Sequence, residues 1–127
     1  MQTLSSAEID YLQDERRLGR LATANPTGKP HVAPVGMWRY NPELGTVDIG
    51  GRELAATKKY RNAKANPQAA FVVDDIASID PWHPRAVIVE GSAEAIPHDG
   101  DNEAVIRITP KKVMSWGLER NGSNPRR

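Results

Sequence analysis

Short apolar stretches separated by turn residues run along most of the chain, with the lengths and spacing of β-strands. Residues 25–28 (NPTG) and 41–45 (NPELG) carry turn chemistry that returns the chain antiparallel. The pattern predicts a small β-barrel carrying helices, because short strands avoid exposed edges by closing. Strands are expected at residues 18–24, 31–40, 46–50, 69–73, 86–96, 104–108 and 113–118, with a bulge at Gly91 and a break at Pro110.

A short helix is predicted near the start of the chain, within residues 1–15. Ser5 followed three residues later by Glu8 forms a capping-box pattern, and Ile9 with Leu12 supplies an apolar stripe. The helix is expected to end near Asp14.

A second helix is predicted within residues 50–67, where a strand ends in Gly50 and Gly51 and a basic, alanine-rich segment follows. The glycines permit a tight turn and close approach of another group. Pro67 disfavours helical backbone in the residue before it, so three to four turns are expected. This segment is a candidate phosphate site.

Helical periodicity assigns faces to this second helix. Ala56, Tyr60 and Ala63 share the inward face, and Lys58 lies nearly opposite. Lys59 lies at the edge of the apolar face together with Arg52, where a lysine stem can cover apolar surface and present its ammonium to an anion. A purely solvated helix face explains the same residues, and the segment alone leaves both interpretations open.

Residues 31–40 form an unusual strand because Pro34 and Gly36 interrupt it. Proline inside a strand is typical of an edge or a bulge, and glycine permits close approach of a ligand. The strand is either the floor for a flat ligand or a bulge that only curves the barrel.

Composition narrows the functional classes. The chain has 127 residues, which predicts one domain over residues 1–127, and its formal net charge is +1, which gives no field for nucleic acid. It has no cysteine, hence no disulfide or thiolate metal site, and no apolar run long enough for a membrane span. A soluble cytoplasmic protein without membrane or nucleic-acid partners is expected, with a flexible tail at residues 119–127.

The sequence does not indicate a metal site or a known arrangement of catalytic side chains. The three histidines, His31, His83 and His98, have no spacing typical of metal ligands, so no metal site is predicted. Trp82 lies between two prolines in a predicted loop at residues 76–85, where a large aromatic side chain often forms a lid or an interface.

Five short motifs follow one another along the chain. They are LGRLAT at 18–23, GKPHV at 28–32, TKKYRN at 57–62 with Asn66-Pro67, FVVDD at 71–75 and VMSWGL at 113–118. In this order they resemble one known family, the split-barrel flavin and deazaflavin oxidoreductases related to pyridoxamine 5′-phosphate oxidase. The last three motifs resemble most closely the actinobacterial branch assigned the deazaflavin coenzyme F420.

The resemblance implies a fold and a site. The fold would be mainly β with helices, a six-stranded antiparallel split β-barrel of the FMN-binding type, forming a homodimer with the cofactor at the subunit interface. Lys58 and Lys59 would bind the cofactor phosphate, with Arg52 as a possible helper, although the oxidase usually has arginine before lysine. The residues expected to line the ring and ribityl chain are Pro34, Val35, Gly36, Met37, Ile49 and Gly50.

The implied activity is hydride transfer between F420 and a small unsaturated organic substrate, with no obligatory catalytic side chain. Trp38, Trp82 and Trp116 are candidate walls of the substrate pocket, although core or interface roles explain tryptophan equally well. The chain lacks the oxidase's C-terminal substrate-binding extension, which argues against vitamin B6 phosphate oxidation. Three competitors remain: an FMN-dependent oxidoreductase, a non-catalytic carrier of flavin, deazaflavin or tetrapyrrole, and a small nucleic-acid-binding barrel.

Overall fold

A computed structural model describes residues 2–118. The expected tail at residues 119–127 lies outside the described residues. Two α-helices, one 3-10 turn and seven strands make up the described chain. In chain order they are α1 (Ser6–Asp14), β1 (Gly19–Ala24), β2 (Pro30–Val35), β3 (Trp38–Asn41), β4 (Thr46–Ile49), the 3-10 turn (Leu54–Ala56), α2 (Lys58–Ala65), β5 (Gln68–Ser78), β6 (His83–Ile96) and β7 (Val105–Trp116).

All seven strands form one antiparallel sheet in the order β2-β1-β5-β6-β7-β4-β3. Strands β2 and β3 lie at opposite edges of this sheet, yet only Gly36 and Met37 separate them in sequence. Val35 and Trp38 can be at most about 11 Å apart. The sheet must therefore curl until its edges approach, which makes the half-barrel of a split-barrel fold.

The number of strands differs from the six expected. Residues 31–40 were predicted as one strand, but the chain bends at Gly36 and Met37. The residues before the bend pair with β1, and those after it pair with β4. The bend at Gly36 and Met37 takes the chain from one edge strand to the other, but β2 pairs with β1 in unbroken register through Pro34, so the bulge considered for this strand does not form there.

The concave face of the sheet holds the core. Side chains alternate between the two faces along each strand, and the inward-facing residues of neighbouring strands lie opposite one another. Phe71 on β5, for example, lies opposite Leu21 on β1 and Val89 on β6. Burying each such side chain contributes about 1.5–3 kcal/mol. The fully buried apolar residues of this face include Leu21, Ile49, Phe71, Val73, Val87, Val89, Ile106 and Ile108.

The first helix begins as predicted. Ser5 Oγ accepts a hydrogen bond from the Glu8 backbone N–H at 3.2 Å, and Glu8 Oε1 accepts one from the Ser5 N–H at 2.8 Å. The other Glu8 oxygen accepts a hydrogen bond from Ser115 Oγ at 2.5 Å. The capping carboxylate therefore also fastens α1 to β7.

A buried polar network holds the other end of α1 against the sheet. The Tyr11 hydroxyl donates to Asp75 Oδ1 at 2.9 Å, and Arg17 Nε donates to Asp75 Oδ2 at 3.1 Å. Arg85 binds both oxygens of the same carboxylate, at 2.9 and 2.5 Å. Hydrogen bonds from Arg85 lower the pKa of Asp75 to about 2, and burial raises the pKa of Tyr11.

Protonation of Asp75 in acid should therefore lower the free energy of unfolding. Because the folded pKa of about 2 lies below the ordinary 3.8, this stabilisation is full above pH 3.8 and is lost as pH falls towards 2. We expect Asp75→Asn to lower the free energy of unfolding by about 2 kcal/mol at pH 7, with the difference vanishing near pH 2. Urea denaturation at both pH values measures this.

Asp74→Asn is the matched control, since Asp74 pairs with Arg20 on the exposed face. Such a surface pair contributes less than about 1 kcal/mol. Equal destabilisation by the two variants at pH 7 would contradict the assignment.

The predicted second helix is shorter than expected. A 3-10 turn at Leu54–Ala56 comes first, and α2 begins only after Thr57, so α2 has 8 residues. The extended backbone of Thr57 interrupts the helix, while its side chain caps α2 by accepting from the Tyr60 N–H at 3.3 Å. Tyr60 and Ala63 face inward as predicted, but Ala56 is exposed because it precedes the break.

Two other boundaries were wrong. Strand β5 does not end at Asp74 and Asp75 but continues to Ser78, so the predicted loop at residues 76–85 shrinks to a short turn. Strand β7 runs unbroken through Pro110, because the register shifts there opposite Gly91. The predicted bulge at Gly91 is confirmed, and it is what accommodates the proline.

Candidate functional site

The two segments expected to line a flat ring are joined directly. The Gly50 N–H donates to the Met37 carbonyl oxygen at 2.6 Å, which fastens the bend between β2 and β3 to the end of β4. The Arg16 guanidinium donates to the Gly36 carbonyl and, at 3.4 Å, to that of Trp38. Backbone hydrogen bonds and one arginine therefore fix the shape of this corner.

Side chains in these segments divide between the interior and the surface. Val35 and Ile49 are only 5% and 0% exposed and belong to the core. Pro34, Gly36 and Met37 are exposed, with Met37 at 62%. A ring at this corner would contact Pro34, Met37 and the backbone, whereas Val35 and Ile49 support it from beneath.

Gly50 has a packing reason to be glycine. A Cβ at this position would lie 3.4 Å from the Met37 carbonyl oxygen, at the limit of an ordinary contact. Two stretches of backbone therefore come close together here.

The N-terminus of α2 presents unused donors. Lys58 is exposed and Lys59 is half-buried, and among residues 2–118 neither ammonium forms an ion pair or hydrogen bond. Their backbone N–H groups also have no acceptor in the described part of the chain, since Thr57 accepts from Tyr60 and Arg61 instead. Two cations and two amides at a helix N-terminus suit an anion.

Arg52 is not on this helix. It lies exposed in the turn between β4 and the 3-10 turn, so the shared helix edge with Lys59 expected from the sequence does not exist. The Arg61 guanidinium donates to the Ala56 carbonyl at 2.8 Å, and Lys64 is exposed one turn further along. Both residues are exposed, whereas Lys59 is half-buried, and Arg61 follows Lys58 by three residues on the exposed side of α2.

The three candidate tryptophans lie in different places. Trp38 is 4% exposed, donates from Nε1 to the Arg17 carbonyl at 2.8 Å and packs edge-on against Phe71 with ring centres 5.2 Å apart. Trp82 is 63% exposed in the turn between β5 and β6. Trp116 is partly exposed at the end of β7. Trp38 is thus a core residue in this chain, while the other two lie at one end of the sheet.

A buried carboxylate near the corner was missed by the sequence analysis. Asp48 accepts hydrogen bonds from Asn41 at 2.9 Å, from Thr46 at 2.8 Å, and from Arg107 at 3.0 and 3.1 Å. Burial opposes ionisation, but these donors prevail and lower the pKa of Asp48. The alternation of apolar and polar residues along the strands does not indicate that Asp48, Asn41, Thr46 and Arg107 lie close together.

An open cleft of about 720 Å³ adjoins the same corner. Its lining includes Met37 and Gly50 at the corner. It also includes residues of the segment between β6 and β7, which approaches Gly50 because Ile49 pairs with Ile106. Within residues 2–118 no group of three or more His, Cys, Asp or Glu side chains is placed to hold a metal ion. No helix in that part of the chain is long and apolar enough to cross a membrane.

Comparison with known families identifies the fold. The family model described as pyridoxamine 5′-phosphate oxidase matches residues 5–127. The chain belongs to this family. Membership confirms the resemblance recognised in the sequence motifs and accounts for the curled antiparallel sheet.

Relatives of this family member include a reductase. A 5a,11a-dehydrotetracycline/5a,11a-dehydrooxytetracycline reductase from Streptomyces rimosus is 40% identical over 118 residues, covering 88% of this chain and 82% of the relative. The FAD binding protein from Mycobacterium smegmatis is 25% identical with a TM-score of 0.62, covering 87% of this chain and 91% of that one. A conserved hypothetical protein from Mycobacterium tuberculosis has a TM-score of 0.70 at 23% identity, covering 96% and 90%, and shows the shared fold.

Proposed function

We propose that this protein is a reductase that binds coenzyme F420 and transfers a hydride from it to a small unsaturated organic substrate. The observation that carries the proposal is the free cationic N-terminus of α2, which begins eight residues after Gly50 of the exposed corner. The 40% identical Streptomyces reductase supports the reaction class.

The residues present fit a flavin-type cofactor. Lys58 and Lys59 supply charge and unpaired donors for a phosphate, and the bend at Gly36 and Met37 supplies an exposed surface for a ring. A lysine offers a point charge rather than the bidentate fork of arginine. The contact to phosphate would consist of ammonium groups and helix amides together.

When bound, the cofactor would supply the hydride chemistry, and the protein would supply position and electrostatics. The corner would hold the ring against Pro34 and Met37, while the α2 N-terminus would hold the phosphate end. We propose no obligatory catalytic side chain for this step. Such a coenzyme-dependent reduction would take place in the cytoplasm.

The choice of F420 over FMN rests on the motifs at residues 57–62, 71–75 and 113–118, which resemble the F420-dependent branch. The FAD-binding structural neighbour favours a flavin as the alternative. The substrate class follows from the Streptomyces relative, whose substrates are dehydrotetracyclines. We infer a conjugated, unsaturated substrate that stacks near Met37, with Trp82 and Trp116 as walls supplied by either subunit.

We also propose a homodimer, because an apolar row crosses the outer face of the central strands. Val72, Ile88 and Met114 stand side by side on β5, β6 and β7, and Trp116 stands beside Ala86 on the same face. The first three and Trp116 stay partly exposed in this chain. A second copy would cover this face and bring its own hairpin end near the cofactor corner.

Ile88→Glu should break this dimer. A carboxylate in the middle of an apolar interface loses its hydration without gaining a partner, so we expect the dimer dissociation constant to rise by about 100-fold or more. Size-exclusion chromatography with light scattering measures the change. Leu44→Glu, on the exposed turn between β3 and β4, is the matched control and should stay dimeric.

Parallel titrations with F420 and with FMN test the cofactor. We expect tighter binding of F420, together with F420H2-dependent reduction of a dehydrotetracycline or a simple enone. Tighter binding of FMN would establish the flavin alternative. Tight binding without turnover across enones and quinones would favour a carrier, and steeply salt-dependent binding of nucleic acid would favour the nucleic-acid barrel.

A further inference from the structure

Four residues of alternating charge lie side by side on neighbouring strands near the cleft. They are Arg39 on β3, Asp48 on β4, Arg107 on β7 and Glu94 on β6. Each of the four residues would be expected to form an ion pair, since each has a residue of opposite charge next to it.

Arg39 is nevertheless left without a partner. The Asp48 carboxylate has about four acceptor positions, and Arg107, Asn41 and Thr46 fill them with four hydrogen bonds. Within residues 2–118 the Arg39 guanidinium forms no ion pair and no hydrogen bond, and the residue is exposed. Its fork of donors is therefore free.

The free guanidinium lines the same cleft as the cofactor corner. Arg39 follows Met37 by two residues, and both line the cleft with Gly50. The segment between β6 and β7 adds the carboxylates of Asp99, Asp101 and Glu103 to the lining. An anionic group entering the cleft is repelled by these carboxylates and attracted to Arg39, so the cleft favours an orientation with the anion at Arg39.

We propose that Arg39 binds an anionic oxygen group, a carboxylate or an enolate, on the substrate of the reductase, and thereby sets substrate orientation and specificity. The proposal rests on the proposed function for the location of the ring. Arg39 acts by positioning, and it takes no part in bond making or breaking.

The cleft separates this group from the proposed phosphate site. Arg39 lines the cleft together with Met37 and Gly50, whereas Lys58 and Lys59 are not among its lining residues. A phosphate held at the N-terminus of α2 therefore lies outside the cleft. We assign the anion at Arg39 to the substrate that faces the ring from the cleft.

The chemistry fits a guanidinium better than an ammonium. Arginine binds a carboxylate through two parallel N–H donors, which fixes direction as well as charge. Arg16, which also lines the cleft, has donors engaged by the Gly36 and Trp38 carbonyls and serves to hold the bend.

The test compares two unsaturated ketones of one shape, benzylideneacetone and 4-carboxybenzylideneacetone, by calorimetric titration of the cofactor-loaded protein. We expect the parent to bind the carboxylated probe at least about 10-fold more tightly. In Arg39→Gln the ratio of the two Kd values should fall to near one, and in Arg39→Lys it should be intermediate. Lys29→Gln, which removes one positive charge from the turn between β1 and β2, should keep the parent ratio.

A parent protein without preference for the carboxylated probe would overturn the proposal, as would a preference that survives in Arg39→Gln. A loss of F420 affinity in Arg39→Gln, with the probe ratio unchanged, would place the anion on the cofactor and also overturn it. A failure of the proposed function gives a different result. Hydride transfer from F420H2 would then be absent, while the preference for the carboxylated probe would still depend on Arg39.

Discussion

Replacing Lys58 and Lys59 together by alanine should weaken cofactor binding by about 100-fold or more while leaving the fold intact. Each charge-assisted contact to phosphate contributes roughly 1.5–3 kcal/mol, and the two ammonium groups have no other partner among residues 2–118. Fluorescence titration with F420 measures the loss, and circular dichroism with thermal unfolding confirms that the fold remains.

The matched control removes the same charge from the same helix. Arg61→Ala combined with Lys64→Ala deletes two cations that are exposed on α2. This variant should bind cofactor within about 3-fold of the parent if only local charge matters. Equal losses in both double variants would show a diffuse electrostatic effect, and no loss in the first would remove the phosphate assignment.

Gly91→Ala should destabilise the protein by about 3 kcal/mol or more. A Cβ at Gly91 would overlap the Thr109 carbonyl oxygen and lie 2.9 Å from its carbon and 3.2 Å from Pro110 Cα. These are backbone atoms in the bulge between β6 and β7, so no side chain can turn aside. Urea denaturation monitored by circular dichroism measures the change in the free energy of unfolding.

Gly36→Ala provides the comparison for that prediction. A Cβ there would lie 3.7 Å from Leu18 Cδ2, which is an ordinary contact, so stability should change by less than about 1 kcal/mol. A Gly91→Ala protein as stable as Gly36→Ala would mean that the bulge is not packed against Thr109 as described.

The sequence predicted well those features that depend on near neighbours. The capping box of Ser5 and Glu8 and the turn at residues 25–28 are formed by groups a few residues apart. The inward positions of Tyr60 and Ala63 follow from helical geometry alone. Family membership was also recognisable, because many short motifs keep their order along the chain.

The errors arose where distant residues override local preference. Pro110 reads as a strand break, yet the register shift opposite Gly91 lets β7 continue. The segment at residues 74–78 reads as polar, yet Asp75 is held in the sheet by Tyr11, Arg17 and Arg85. The break at Thr57 is different, because it is local: Thr57 was expected inside one helix, but its side chain caps α2 through Tyr60, three residues later.

For the candidate site, the sequence alone determined that a basic, alanine-rich segment follows a glycine-rich strand end. It also determined which residues carry charge, because these facts depend on order and composition. Only the tertiary structure decided which charges are free. Asp48 is saturated by partners from positions 41, 46 and 107, and that leaves Arg39 open while Arg107 is paired. Pairing of this kind depends on the register of strands far apart in the chain, and near-neighbour patterns carry no information about it.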